Sequence, residues 1–404
     1  MTLFLMINSI VFLVIIIYYS ILTIYGLKYK LYPSKTKPLD SYPSVDVLIP
    51  AHNEEKVIKE TIEAIIKLDY PGKVNIYVLN DNSVDNTGKI TEAFVAIYNN
   101  IYHIKVPKGE PKGKSRVLNY GLSISNSEYF IVFDADNQPK PKALRLLVEA
   151  AVNTPSAAGA VGYVKTINES KNILTRMISI EFQVFQLLMQ SGRWALFKTG
   201  SLTGTNMLVK RSVIQEIGKY DVNALAEDAE LTLRITSSGL LLPIVPDAIS
   251  WEQEPENLKT LIKQRTRWLQ GNLYILGKVF SSKELFKGKM LVHSMQQILV
   301  YIVFLLFLIT SHGFFIAGTL GYFTPNMKTP LLFVWYLSYL VYTTQVFSAQ
   351  VVEKTATPIN ILVGFILYFT YCQLFIYLYF RSVYYYVKAK ISKEVIAWDK
   401  TIRF

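Results

Sequence analysis

Residues 44–68 read SVDVLIPAHNEEKVIKETIEAIIKL, and the change of period inside this stretch decides the fold. Up to Pro50 the residues alternate and are β-branched, as in a strand; from Val57 the apolar side chains Val57, Ile58, Ile62, Ile65 and Ile66 take helical spacing. Residues 74–79 read as a second strand ending in NDNSVDNTGK, a run of turn formers. A third short strand follows at 101–106, a helical piece at 117–122 and a fourth strand at 129–133. Strands alternating with helices argue for an α/β domain with a parallel, doubly wound sheet, in which ligands sit beyond the carboxyl ends of the strands. Three polar loops, 50–55, 80–87 and 134–137, all follow strand ends and are expected to meet on one edge.

The rest of the 404-residue chain is unevenly apolar. No charge occurs from Leu3 to Tyr25, enough residues at ~1.5 Å each to cross a hydrocarbon core of ~30 Å. A secretory signal peptide is the rival reading, against which the missing basic n-region and cleavage site argue. Further apolar stretches lie at about 295–320, 331–352 and 359–380. The organisation is a membrane helix (1–27), a polar domain (35–275), a C-terminal membrane region of two to three spans (276–390) and a tail (391–404). Lys28, Lys30, Lys35 and Lys37 after the first span place the polar domain in the cytoplasm of a multi-pass protein of the cell membrane. Much of the net charge of +12 is then juxtamembrane, and with no DNA- or RNA-binding motif a nucleic-acid partner is not expected. Cys372 is the only cysteine, and the four histidines lack zinc-like spacing.

Chemistry concentrates in four stretches. FDADN (133–137) sets Asp134 and Asp136 one residue apart after an apolar strand, a pair that repels itself unless a cation is shared. Hard divalent ions take such oxygen ligands, and Mg²⁺ adds substrate phosphates to one or two carboxylates. KVPKGEPKGKSR (105–116) carries five basic residues without the spacing of a P-loop and suits an anionic substrate. AEDAELTLR (226–234) places Glu227 and Asp228 ahead of an amphipathic helix, as a helix cap or as a general base for a hydroxyl nucleophile. In PENLKTLIKQRTRWLQG (255–271) Gln264, Arg267 and Trp268 share one helix face: Arg can neutralise a leaving diphosphate, Trp is a platform for a sugar ring, and Gln adds hydrogen bonds.

Taken in order, these motifs resemble the membrane-bound family 2 glycosyltransferases, the cellulose, hyaluronan, chitin-oligosaccharide and poly-N-acetylglucosamine synthases. The matching segments are VLIPAHNEE (47–55), LNDNSVDNT (79–87), KGKSRVLNYGL (112–122), FDADN, LTGTN (202–206), EDAELTLR (227–234) and QRTRW (264–268). The resemblance implies a GT-A type, Rossmann-like mixed sheet flanked by transmembrane helices, and an inverting hexosyl- or N-acetylhexosaminyltransferase. Its donor is a nucleotide sugar, favouring UDP, and its cofactor Mg²⁺ or Mn²⁺. By resemblance, Pro50, His52, Asn53, Glu54, Asp81, Lys114 and Asp134 serve the donor, while Asp136, with Asp134, holds the metal. Asp228 is the base beside Glu227, Gly204 and Thr205 border the acceptor, and Gln264, Arg267 and Trp268 close over diphosphate and acceptor. The acceptor is a growing polysaccharide exported processively or, alternatively, a lipid such as a polyprenyl phosphate or diacylglycerol glycosylated once. A transporter would need paired intramembrane charges, which the apolar stretches lack.

Two expectations concern the bilayer. Ile173, Met177, Ile180, Val184, Leu187 and Leu188 form a stripe broken by Glu181 and Gln183, which suits an interfacial helix against membrane lipids or a helix packed in the core. Residues 381–404 carry six basic and two acidic side chains, which puts the tail inside and makes one C-terminal stretch re-entrant or interfacial. The closing WDKTIRF resembles a gating segment of some relatives.

Overall fold

The computed structural model describes residues 2–33, 36–282, 288–322 and 325–392. Strands β1 (Val45–Ala51), β2 (Val74–Asn80), β3 (Ile101–Lys105), β4 (Tyr129–Val132), β5 (Gln138–Pro139), β6 (Gly159–Thr166), β7 (Met207–Lys210) and β8 (Ile244–Glu252) form one sheet in the order β3-β2-β1-β4-β7-β6-β8-β5. The first four neighbours are parallel, as the strand–helix alternation requires. Beyond β4 the winding changes: β7 runs antiparallel to both β4 and β6, and β5 antiparallel to β8. The sheet is therefore mixed, as the resemblance implies, and not parallel throughout.

Helix α1 (Thr2–Leu31) precedes the sheet; α2 (Ile58–Ile66), α3 (Thr87–Val95), α4 (Lys114–Ile124) and α5 (Ala143–Asn153) cover it. Val45, Val47, Leu48 and Ile49 of β1 are wholly buried, each worth about 1.5–3 kcal/mol of transfer free energy. Asp46 is buried among them. Its carboxylate accepts from Ser127 N (2.8 Å), Ser127 Oγ (2.6 Å), Asn75 Nδ2 (2.9 Å) and Arg211 Nη2 (3.0 Å). Arg211→Met strands that carboxylate, and thermal unfolding in detergent should show a loss of about 3–5 kcal/mol.

The chain continues through α6 (Ile173–Phe182), a π-helical segment (Gln183–Gln190), α7 (Ser191–Phe197), α8 (Arg211–Glu216), α9 (Glu227–Ser237) and α10 (Leu258–Ser281). Then follow α11 (Gly288–Ile298), a second π-helical segment (Leu299–Phe304), α12 (Leu305–Thr319), α13 (Pro325–Glu353), α14 (Pro358–Leu367) and α15 (Tyr371–Ser392). Among the described residues, Met6–Leu31 and Met290–Thr319 are long and apolar enough to cross a membrane. The last apolar stretch is broken: α14 and α15 bend by 46° and make a third span only if taken together. Lys35 and the WDKTIRF segment lie outside the described residues.

The stripe on α6 is covered by the chain itself. Met177, Ile178 and Ile180 pack with Val346, Val363 and Leu367 of α13 and α14, leaving Ile173 exposed at the start. Core packing is thus what the described residues display, against helices of the C-terminal region. Helix α1 is joined as tightly. A Cβ added at Gly26 would stand 2.2 Å from the Leu188 carbonyl oxygen, and one at Gly192 2.2 Å from that of Leu22. Tyr29 Oη donates to Ile244 O (2.9 Å), and Lys30 Nζ to Asp247 Oδ1 (2.7 Å).

Candidate active site

The loops after β1 and β2 meet on the carboxyl edge as expected. His52 Nδ1 donates to Asp81 O (2.6 Å), Asn53 N to Ser83 Oγ (2.9 Å), Val84 N to Asn53 Oδ1 (2.8 Å) and Glu54 N to Thr87 Oγ1 (2.7 Å). Asn53 takes a φ of 54°, a left-handed conformation that asparagine tolerates better than most residues. Asp81 pairs with Arg116 at the start of α4, so the basic stretch closes onto this edge. Pro50 ends the loop's strand, half-buried.

Lys114, at the first turn of α4, joins the remaining motifs. Its ammonium is 2.5 Å from Asp134 Oδ1 and 3.5 Å from Glu227 Oε1, and it donates to Gly204 O at 2.7 Å. Burial opposes the charge, yet Asp134, Glu227 and Asp228 together hold the ammonium well above the usual lysine range. Asp228 is different: burial and then Glu227 push its carboxyl up to about 7, against Lys114. Gly204 has a φ of 82°, and a Cβ there would stand 3.5 Å from Asp228 Oδ2. Any side chain at this position would be strained by the left-handed backbone.

Asp136 is buried and accepts from Gln253 N at 3.0 Å. The turn holding it is braced by Thr205, whose hydroxyl accepts from Asp134 N (3.0 Å) and donates to Asn137 Oδ1 (2.6 Å). Thr205 is thus spent on the FDADN turn. Two acids not singled out from the sequence, Glu252 and Glu254, close the other side. Burial, followed by Glu254, Asp136 and Asp134, holds Glu252 well above the usual carboxylate range; Glu254 is pushed up to about 7, chiefly by burial. Their signal was WEQEP (251–255), a second pair of acids one residue apart at the end of a strand.

On α10 the structure adds Arg265 to the Gln264, Arg267 and Trp268 trio. Arg265 is fully buried, pairs with Glu181 at 2.8 Å and lies 4.0 Å over the Trp268 ring. Tyr371 Oη donates to the same Glu181 oxygen at 2.6 Å, and Phe182 stacks on Trp268 at 6.5 Å between centroids. One face of the indole is therefore taken by a guanidinium, and this face is tied to α15. Gln264 is buried, with its Oε1 unbonded. Phe182 also borders a cavity of about 460 Å³ that touches Tyr163, Lys165, Trp251 and Glu353.

Gly271 brings α10 to the reaction edge. A Cβ there would lie 2.5 Å from Ala226 Cβ and 2.9 Å from Ala226 N, immediately before Glu227. Gly271→Ala should push α10 off α9, costing about 1–3 kcal/mol in thermal unfolding. Turnover should fall with it; an Ala variant with normal stability and rate would show that the approach is slack.

A family model described as glycosyltransferase like family 2 matches residues 43–271. The chain is 37% identical over 376 residues to a probable glycosyltransferase, YdaM, of Bacillus subtilis (strain 168), covering 92% of this chain and 90% of that one. It is 27% identical to a poly-β-1,6-N-acetyl-D-glucosamine synthase of Staphylococcus aureus (strain COL), over 63% of this chain and 61% of the relative. Among solved structures, the mannosyltransferase PcManGT from Pyrobaculum calidifontis, in complex with GDP-Man and Mn²⁺, superposes with a TM-score of 0.61 at 20% identity. That match covers 87% of this chain and 98% of the mannosyltransferase.

Proposed function

The chain belongs to glycosyltransferase family 2, and from that premise we propose that it adds sugars from a nucleoside-diphosphate sugar, UDP-linked, to a growing polysaccharide. It is a membrane-associated hexosyl- or N-acetylhexosaminyltransferase. In this reading the polymer is extended processively and exported, with the catalytic domain on the cytoplasmic side of a multi-pass protein. The observation that carries it is Lys114, whose one ammonium touches Asp134 on the donor side and Glu227 on the base side.

The residues keep in this reading the roles that the resemblance implies. Asp228 takes the proton of the acceptor hydroxyl, whose oxygen attacks C1 of the donor sugar from the face opposite the diphosphate, inverting the centre. Burial, and then Glu227 beside it, keeps the Asp228 carboxyl basic enough for the task. Lys114 and Arg267 face the negative charge that builds on the leaving diphosphate. Pro50, His52, Asn53, Glu54 and Asp81 form the nucleotide end, Gly204 leaves room at the acceptor, and Trp268 with Gln264 closes the lid.

Asp134 and Asp136 offer the oxygen donors a divalent ion takes, and burial, then the neighbouring acids, holds Glu252 beside them above the usual carboxylate range. Among the described residues no three His, Cys, Asp or Glu are gathered so as to hold an ion by themselves, so Asp134 and Asp136 would hold one only together with diphosphate and water, a pattern Mg²⁺ and Mn²⁺ accept. Asp134 and Asp136 would hold the ion, whose charge would offset that of the departing diphosphate.

The test is to incubate the purified full chain with a panel of labelled nucleotide sugars and size the product. A ladder of long polymer is expected. A discrete lipid-linked mono- or disaccharide would replace the synthase by a single-transfer enzyme using the same residues, and no turnover with any donor would reject the reading.

A further inference from the structure

Among the described residues Arg265 is the bulkiest side chain to be fully buried, yet it spends little of its bonding capacity. Nη2 donates to Glu181 Oε2 at 2.8 Å, while Nε and Nη1 are buried without a hydrogen-bond partner. What it meets instead is aromatic. The guanidinium carbon lies 4.0 Å from the centre of the Trp268 ring and 5.5 Å from that of Phe182. A lysine would serve Glu181 as a point charge, but only a planar guanidinium also covers a ring.

The separations fix which side of the indole is covered. Phe182 and Trp268 have their ring centres 6.5 Å apart and their planes within 23° of parallel. Were Arg265 and Phe182 on opposite faces of Trp268, they would stand much further from each other than 5.5 Å. Both therefore lie on the same side, and Trp268 itself stays partly exposed. Anything else that stacks on the indole comes from the opposite side.

The cover is anchored from two further elements. Glu181, on α6, gives the one oxygen that receives Arg265 also to Tyr371 Oη, 2.6 Å away. Tyr371 is 4% exposed and is the first residue of α15, at the 46° bend that follows α14. Arg265, Glu181 and Tyr371 thus run as a chain of direct contacts from the bent apolar stretch to the indole.

We propose that Arg265 is a positioning residue for the sugar platform: it closes one side of Trp268 and stills the ring, with Glu181 and Tyr371 holding the guanidinium, so that an acceptor sugar stacks on the opposite side alone. The acceptor end of this inference rests on the role given to Trp268 above; the placement of the ring does not. A platform with one usable face accepts a sugar in one register, which is what a fixed direction of attack on the donor requires.

The full chain in detergent, labelled with 5-fluorotryptophan, tests the placement without any substrate. It has five tryptophans, and Trp268→Phe assigns one ¹⁹F resonance. Arg265→Lys keeps a charge for Glu181 but not the flat cover, so it should shift and broaden the Trp268 resonance and leave the other four in place. Tyr371→Phe, which removes only a hydroxyl, should move the same resonance less, and it decides the matter if the Lys variant does not fold. In turnover with an added tetrasaccharide of the donor's own sugar, Arg265→Lys should raise the acceptor KM about tenfold. Its kcat and donor affinity should not change, because the platform holds the acceptor alike before and during reaction. An unmoved Trp268 resonance, a common displacement of all five, or a natural acceptor KM would overturn the inference. A chain that transfers sugar to no acceptor would reject the proposed reaction, while the resonances still decide whether Arg265 places the ring.

Discussion

Asp228→Asn should abolish sugar transfer, lowering kcat by about 100- to 10,000-fold, the usual worth of a positioned general base. Donor affinity should stay within a few-fold, because the carboxylate faces the acceptor side of Lys114. The pH profile makes the assignment sharper. Only the ionised carboxylate accepts a proton, and burial with the Glu227 charge pushes its pKa up to about 7. The competent fraction therefore falls about tenfold for each pH unit below that value and levels off above it. Initial rates at saturating donor should trace this acid limb in the natural enzyme, and residual rates in the Asn variant should be flat. If binding is lost as severely as rate, Asp228 holds the donor and is not the base.

Asp136→Asn should remove metal-dependent donor binding. The substitution keeps the shape of the turn, since an amide oxygen can still accept from Gln253 N, now 3.0 Å from Asp136 Oδ2. What it removes is a negative charge from the Asp134 and Asp136 pair. Calorimetric titration with a nucleoside diphosphate, with and without Mn²⁺, should show affinity falling about 100-fold and the metal effect disappearing, since one lost charge-assisted contact is worth about 1.5–3 kcal/mol. Unchanged titrations would make FDADN an ordinary turn.

Much of this edge could be read in advance because its motifs are local. A strand that ends in a polar loop advertises both its period and its exit, so β1, β2 and β4 and the acids following them were legible from residues 44–137. The reversal at β7 was not, because four residues between two loops carry no sign of direction. Thr205 has its acceptor role only by resemblance, and nothing in LTGTN announced that its hydroxyl also braces Asp134 and Asn137. Arg265 was passed over as one more cation in QRTRW; its meaning lies in Glu181 and Tyr371, 84 and 106 positions away in sequence, which no window along the chain connects. Gly271 was hidden for a similar reason: a missing side chain is informative only when the opposing backbone is known.

The close seating of α1 has a consequence for geography. A 30-residue helix is ~45 Å long, and a hydrocarbon core takes up ~30 Å of it. Its last turns carry Leu22, Gly26, Tyr29 and Lys30, all engaged by the catalytic domain through backbone contacts, a hydrogen bond and an ion pair. The helix is therefore a ruler as well as an anchor. Catalysis takes place at one set altitude above the lipid, and an acceptor is chosen partly by whether its reactive end can be lifted to that height.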